Sequence, residues 1–283
     1  MIREQFGRNS CAGTRRLRYP WLGIGKGAFL AGLLGWLLCC TLPVSAQTAK
    51  AAEGHATFSY TGDSSPGFWD EINSACATTS TSRQSPIDIN KAEVDRNLTP
   101  LVTELAETSF TLKNPGYTVV ATPATSGTLT LNGTTFKLLQ FHFHTLSEHT
   151  INGEHAVMEL HAVFQDDNSN LAVIGVLYGI GKANPFLAKI LSAGLPQKTT
   201  SDPVTISDLN VANAFTDLSS YYTYSGSLTT PPCSETVTWL VLKQQAELSA
   251  SQYQEFRKVL GNDFRPVQAQ NGRMVRATAR KDD

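Results

Sequence analysis

From Thr108 to Leu139 the chain alternates apolar and polar residues in short, β-branched segments, broken at Asn114-Pro115-Gly116, Ser126-Gly127 and Asn132-Gly133. A two-residue period punctuated by turn residues predicts a meander of strands. Leu171 to Tyr178 (LAVIGVLY) and Thr236 to Leu242 are instead continuously apolar, the pattern of strands buried on both faces. Helix signals occur twice. Asn184-Pro185 ahead of FLAKILSAG supplies an N-cap, a proline at the first helical position and Gly194 as a stop; a second helix is predicted from Ser249 to Leu260, ended by Gly261. Many strands, few short helices and no internal repeat predict a mainly β (α+β) fold: a single domain organised around one large, mostly antiparallel sheet, with the helices at its periphery.

The stretch from Gln140 to Phe164, QFHFHTLSEHTINGEHAVMELHAVF, holds five of the six histidines of the chain. Residues two apart on a strand share a face, so Gln140, His142 and His144 point the same way. Asn152-Gly153 is the favoured centre of a two-residue type I′ hairpin. If Ile151 faces Glu154, the register carried back along both strands sets His144 opposite His161 and His142 opposite Val163. Opposed side chains sit on one face with Cβ atoms roughly 5 Å apart, so three imidazoles converge. Three neutral histidines with a fourth position left for water are a known way to hold catalytic zinc. Gln140 and Glu159, two residues before His142 and His161, are placed to accept the ring N–H groups and fix the tautomers. Glu148 joins the same face if the strand stays extended. A lone histidine in a strand is more often structural, which is the reading for His149 and His155.

Composition changes the picture at the ends of the chain. Its 283 residues are 41% hydrophobic and 17% charged, enough for a substantial core. Before residue 47 stand six basic residues and one acid, then an apolar run from Ala28 to Leu42 and the small-residue site Val44-Ser45-Ala46. This reads as a secretory signal peptide over residues 1–46, the run being short for a membrane span. Residues 47–54 read as a linker, 55–278 as the folded domain and 279–283 as a tail. Removing 1–46 leaves 17 basic against 23 acidic residues, a formal charge of −6, which favours neither nucleic acid nor an anionic membrane as partner. Of five cysteines only Cys76 and Cys233 remain, an even pair in an exported chain, for which a disulfide is the default. A periplasmic or secreted location is expected.

QFHFHTLSEHT, followed by MELHAVF and later by GSLTTPPC, closely resembles the α-class carbonic anhydrases of bacterial, exported type, and the resemblance runs from about Phe58 to Arg276. It implies a twisted sheet of about ten strands and a zinc lyase that reversibly hydrates carbon dioxide to bicarbonate and a proton, by attack of zinc-bound hydroxide. By the same resemblance His142, His144 and His161 bind Zn2+, Thr229 orients the nucleophile and donates its own proton to Glu148, and Cys76 and Cys233 are bridged. Val163, Val173, Leu228 and Trp239 would form an apolar wall for carbon dioxide, with Thr230 on its polar side. His149, Tyr224 and Glu159 would make a buried polar network under the metal, and Arg83-Gln84-Ser85-Pro86-Ile87-Asp88 a structural buttress. Phe58-Ser59-Tyr60 and Pro66 to Trp69 resemble the family's aromatic N-terminal segment, with Gly67-Phe68 in place of its acidic residue and histidine and Trp69 read as a core residue.

Tyr60 and Tyr117 fall on the implied proton path. Tyr117 stands where fast members of the family carry a histidine, and a phenol with a pKa near 10 is a poor relay at neutral pH; His55 is an alternative at the rim. Asp263 stands where the family usually has asparagine. The expected partner is a small molecule, and the expected state monomer or homodimer. Two other readings compete with this one. His142-x-His144-x3-Glu148 is also half of a cupin motif with Glu148 as a ligand, but the framing glycines and proline are absent. A non-catalytic binding protein on the same fold would have lost zinc histidines, and all three are present.

Overall fold

The alternating and continuous apolar segments become one sheet. A computed structural model describes residues 58–198 and 202–279; the expected signal peptide (1–46), the linker (47–54), His55 and residues 280–283 lie outside these. After short helical turns, including α1 (Trp69–Ile72), come β1 (Asp88–Ile89), β2 (Glu93–Val94), β3 (Val102–Glu104), β4 (Thr108–Lys113), β5 (Val120–Pro123), β6 (Thr128–Leu131) and β7 (Thr134–His144). They are followed by β8 (Thr150–Ile151), β9 (Glu154–His155), β10 (Met158–Gln165), β11 (Leu171–Ile180), α2 (Pro185–Ala193) and β12 (Val204–Leu209). The chain then runs through β13 (Tyr221–Gly226), β14 (Val237–Leu242), β15 (Ala246–Leu248), α3 (Ala250–Leu260) and β16 (Arg276–Ala277).

The main sheet runs β12-β4-β5-β7-β10-β11-β14-β13-β16-β2, a path of the expected ten strands, with β15, β3 and β6 paired beside it. Most of its ladders are antiparallel, but β11 with β14, β11 with β15 and β16 with β2 run parallel, so the sheet is mixed. The reason is connectivity. β14 reaches β11 only after the chain has passed through α2, β12 and β13, and no hairpin links them.

α2 and α3 begin and end where local chemistry says they should. Asn184 accepts hydrogen bonds from the amides of Phe186 and Leu187, and Ser249 forms a capping box with Gln252. Gly194 and Gly261 follow at φ of 92° and 73°, a conformation that costs glycine little.

The two faces of the sheet carry different cores. Phe141, Phe143, Leu160, Phe164, Ile174, Val176 and Leu240 face the larger hydrophobic cluster on one side. Val163, Val173, Leu177, Trp239 and Val241 lie on the other face, which the histidines share.

The hairpin register came out differently from the expectation. Asn152-Gly153 does turn with Ile151 opposite Glu154, but these strands form a separate three-stranded sheet with β1. In the main sheet His161 is opposite His142, Glu159 opposite His144 and Val163 opposite Gln140. The register is displaced by two residues because β7 stops at His144 and the chain leaves the sheet before β8 begins. An even displacement keeps every side chain on its face, so the convergence of the three rings survived while their pairing changed.

Candidate metal centre

β7 supplies His142 and His144 and β10 supplies His161. Their ring centroids are 5.0, 5.2 and 4.8 Å apart, and one nitrogen from each lies within 4.8 Å of the others. The second nitrogen of each ring is already engaged. His142 Nδ1 meets Gln140 Oε1 at 2.8 Å, His144 Nδ1 meets the Asp263 main-chain oxygen at 2.6 Å and His161 Nε2 meets Glu159 Oε1 at 2.9 Å. Those partners only accept, so each engaged nitrogen carries the proton, and Nε2 of His142, Nε2 of His144 and Nδ1 of His161 turn lone pairs to a common point. Burial, reinforced by the neighbouring histidines, holds His142 well below its ordinary pKa. Burial also lowers His161, to about 4, against the opposing pull of Glu159.

Glu159 is the hub beneath this cluster. Its Oε2 accepts the amides of Glu148 (2.8 Å) and His149 (2.9 Å), while Oε1 accepts from His149 Nδ1 (2.8 Å) and His161 Nε2. Burial pushes its pKa up, but His149 and His161 outweigh that and hold it well below the usual carboxylate value. The network continues to Tyr224, whose Oη lies 2.7 Å from His149 Nε2 and 3.0 Å from Ser85 Oγ. His149, Glu159 and His161 also group closely enough to suggest a second ligand set, but their facing atoms are hydrogen-bonded to one another, which makes them a support.

Gly175 is a contributor the sequence reading passed over. It lies opposite His161 on β11, and a Cβ there would stand 2.9 Å from Glu159 Oε1. A glycine interrupting the apolar run LAVIGVLY was the available signal, since glycine within a strand marks a close approach.

Glu148 does not ride on an extended strand. The turn after β7 nevertheless brings its Oε2 to 3.5 Å from His144 Nε2 and 3.9 Å from His161 Nδ1. Oε1 accepts the Arg265 amide at 2.7 Å, while Oε2 is buried with no hydrogen-bond partner. Burial pushes its carboxyl up to about 8, with the Arg265 amide and the Thr229 hydroxyl pulling the other way; between Thr229 and Oε2 there is an influence but no hydrogen bond of ordinary geometry.

The histidines open into a cavity of about 100 Å³ that also takes in Gln140, Val163, Val173, Leu228, Trp239, Thr229, Thr230 and Tyr117. Every residue expected on the wall is there, together with Thr118 and Val120, which were not expected. Val163 borders the cavity from opposite Gln140, not from opposite His142. Thr229 and Thr230 belong to the β13–β14 connection, which the Cys76–Cys233 disulfide fixes with a Cα–Cα distance of 5.0 Å; Cys233 N donates to Thr230 O at 2.9 Å.

The N-terminal aromatic segment and the buttress sit behind. Trp69 is fully buried beside the disulfide, with the Tyr60 ring 5.6 Å away. Tyr60 is half-buried, its Oη is buried without a hydrogen-bond partner, and burial followed by the charges of Glu148 and Asp263 raises its pKa. Tyr117 packs its ring 4.7 Å from that of Phe58, and burial raises its pKa too. Arg265 reaches Gln84 Oε1, Ser85 O and Cys76 O at 2.8, 2.9 and 3.1 Å, tying the buttress to the disulfide.

The chain matches the family model for eukaryotic-type carbonic anhydrase over residues 64–279. It is 41% identical over 224 residues to a carbonic anhydrase of Klebsiella pneumoniae, covering 77% of this chain and 89% of the relative. It is 36% identical over 243 residues to one of Neisseria gonorrhoeae, covering 84% and 93%. Among solved structures, the α-carbonic anhydrase of Thermovibrio ammonificans in complex with the inhibitor sulfanilamide superposes with a TM-score of 0.74 at 37% identity, covering 80% of this chain and all of that one.

Proposed function

The chain belongs to the eukaryotic-type (α) carbonic anhydrase family, and from that premise we propose that it interconverts carbon dioxide and bicarbonate at a zinc ion held by His142, His144 and His161. The observation that carries this is the set of three inward-facing nitrogens. His144 Nε2 is buried with no hydrogen-bond partner, an arrangement costly to maintain unless something coordinates it. Depressed pKa values keep His142 and His161 neutral at pH 7, as metal ligands must be. Zinc bound there would supply Lewis acidity, bringing the pKa of a coordinated water from about 15.7 to near 7.

The remaining work falls to the chain itself. Thr229 is proposed to donate its hydroxyl proton to Glu148 Oε2, so that its oxygen can only accept from the attacking group. That needs an ionised Glu148. Burial disfavours the charged form, but a cation beside the two histidine nitrogens at 3.5 and 3.9 Å would favour it. Val163, Val173, Leu228 and Trp239 offer the apolar surface that suits a substrate without a dipole, and Thr230 the polar side. Tyr117 at the cavity is proposed to make proton release slow. Residues 1–46 are proposed to direct export; a disulfide is at home in an oxidising compartment, and among the described residues no helix is long and apolar enough to cross a membrane.

Stopped-flow carbon dioxide hydration on purified protein, with metal analysis, tests the proposal. One zinc per chain, activity lost to a chelator and restored by zinc are expected; hydration that persists after the metal is gone overturns it.

A further inference from the structure

The segment that follows α3 passes behind the histidines with alternate residues turned toward them. Gly261 O accepts from the Thr145 hydroxyl, and Arg265 N donates to Glu148 Oε1 at 2.7 Å. Between these, Asp263 grips two consecutive residues of the other chain segment. Its main-chain oxygen accepts His144 Nδ1 at 2.6 Å, and its carboxylate Oδ1 accepts the Thr145 amide at 2.7 Å. Thr145 and Asp263 are both buried, at 0% and 1% exposure, so no bulk water competes for either contact.

One anchor on a ring leaves it free to pivot about that contact. A second anchor on the adjoining backbone removes the pivot. Without the Asp263 side chain, the only other link between the two residues is a long main-chain contact of 3.4 Å from Asp263 N to Thr145 O, and the Thr145 amide would be left buried without a good acceptor.

We propose that the Asp263 carboxylate is a positioning residue for the metal: by holding the Thr145 amide it keeps the His144 ring aimed at the ion, and so sets how long the ion stays. This rests on the reading that His142, His144 and His161 hold a metal. The contact uses only Oδ1, while Oδ2 is buried without a partner. An acceptor oxygen is therefore what the position requires, and a carboxamide supplies one equally well.

The test is the rate at which zinc-loaded protein gives up its ion to an excess of chelator, followed by a colorimetric zinc indicator and, on cobalt-substituted protein, by the visible absorption that reports ligand geometry. Asp263→Ala is expected to release zinc at least about tenfold faster, the usual scale for losing a partner that orients a ligand, with an altered cobalt spectrum. Asp263→Asn is expected to restore both readouts. Should Asp263→Ala not fold, Asp263→Ser, too short to reach Thr145, takes its place. Ile190→Ala in α2 controls for general destabilisation, lowering Tm without speeding release. Release from Asp263→Ala or Asp263→Ser at the wild-type rate overturns the proposal, as does Asp263→Asn releasing as fast as either. Wild-type protein that takes up no stoichiometric zinc overturns the metal reading itself, and is seen before any variant is made.

Discussion

Replacing Glu159 by glutamine changes one atom and leaves the volume of the side chain almost untouched, so its effect isolates hydrogen bonding. The carboxylate takes four buried donors, two on each oxygen, at 2.8 to 2.9 Å. A carboxamide has one acceptor oxygen, so in either orientation two donors face an NH2 group that cannot accept. Each buried donor left unpaired costs about 1–3 kcal/mol, giving about 2–6 kcal/mol for the pair. If the amide turns its oxygen to the rings, the amides of Glu148 and His149 lose their anchor; if it turns away, His161 loses the partner that fixes its tautomer. In the second case zinc affinity is expected to fall about 10- to 100-fold. Urea unfolding of metal-free protein reads the first quantity and chelator competition the second. The acid limb gives a further check. The folded pKa of Glu159 lies below its unfolded value, so its contribution to stability is present above about pH 4.3 and is lost as pH falls through the folded pKa; Glu159→Gln should lack that component. A variant with wild-type urea stability and wild-type zinc affinity would refute the account of Glu159 as the hub.

Two further outcomes are expected. Turnover should rise with the concentration of an imidazole-type buffer, and Tyr117→His should raise turnover at low buffer by about tenfold or more; turnover indifferent to buffer together with no gain from the variant would dismiss a proton-release limit at Tyr117. Glu148 works in the opposite sense to Glu159. Its folded pKa of about 8 lies above the unfolded value, so between about pH 4.3 and 8 the folded state holds the extra proton and stability of the metal-free protein falls as pH rises, by at most about 1.4 kcal/mol per pH unit. Thermal unfolding of metal-free Glu148→Gln should lose that slope, and zinc-loaded wild type should show it weakened; a slope unchanged by either would mean that another group titrates.

Much of the architecture was legible because its causes are local. Asn184 and Ser249 cap helices through their own neighbours, Asn152-Gly153 needs positive φ at both positions and has it, at 52° and 83°, and the two-residue period of β7 puts Gln140, His142 and His144 on one face whatever they pair with. Gln140 and Glu159 were found as ring partners for the same reason. The parallel pairing of β11 with β14, the displaced register of β7 against β10 and the approach of Glu148 to two ring nitrogens could not be read this way.

The sequence by itself determined which residues share a face, His142 and His144 among them, and where the helices begin and end. Tertiary structure alone decided which histidine faces which, that Gly175 makes room for Glu159, and that Asp263 and Arg265 close the site from behind. The division follows sequence separation. Alternation and capping act over two to four residues, whereas His144 and Asp263 stand 119 residues apart and Glu148 and Arg265 117, so their meeting depends on the packing of every element between them.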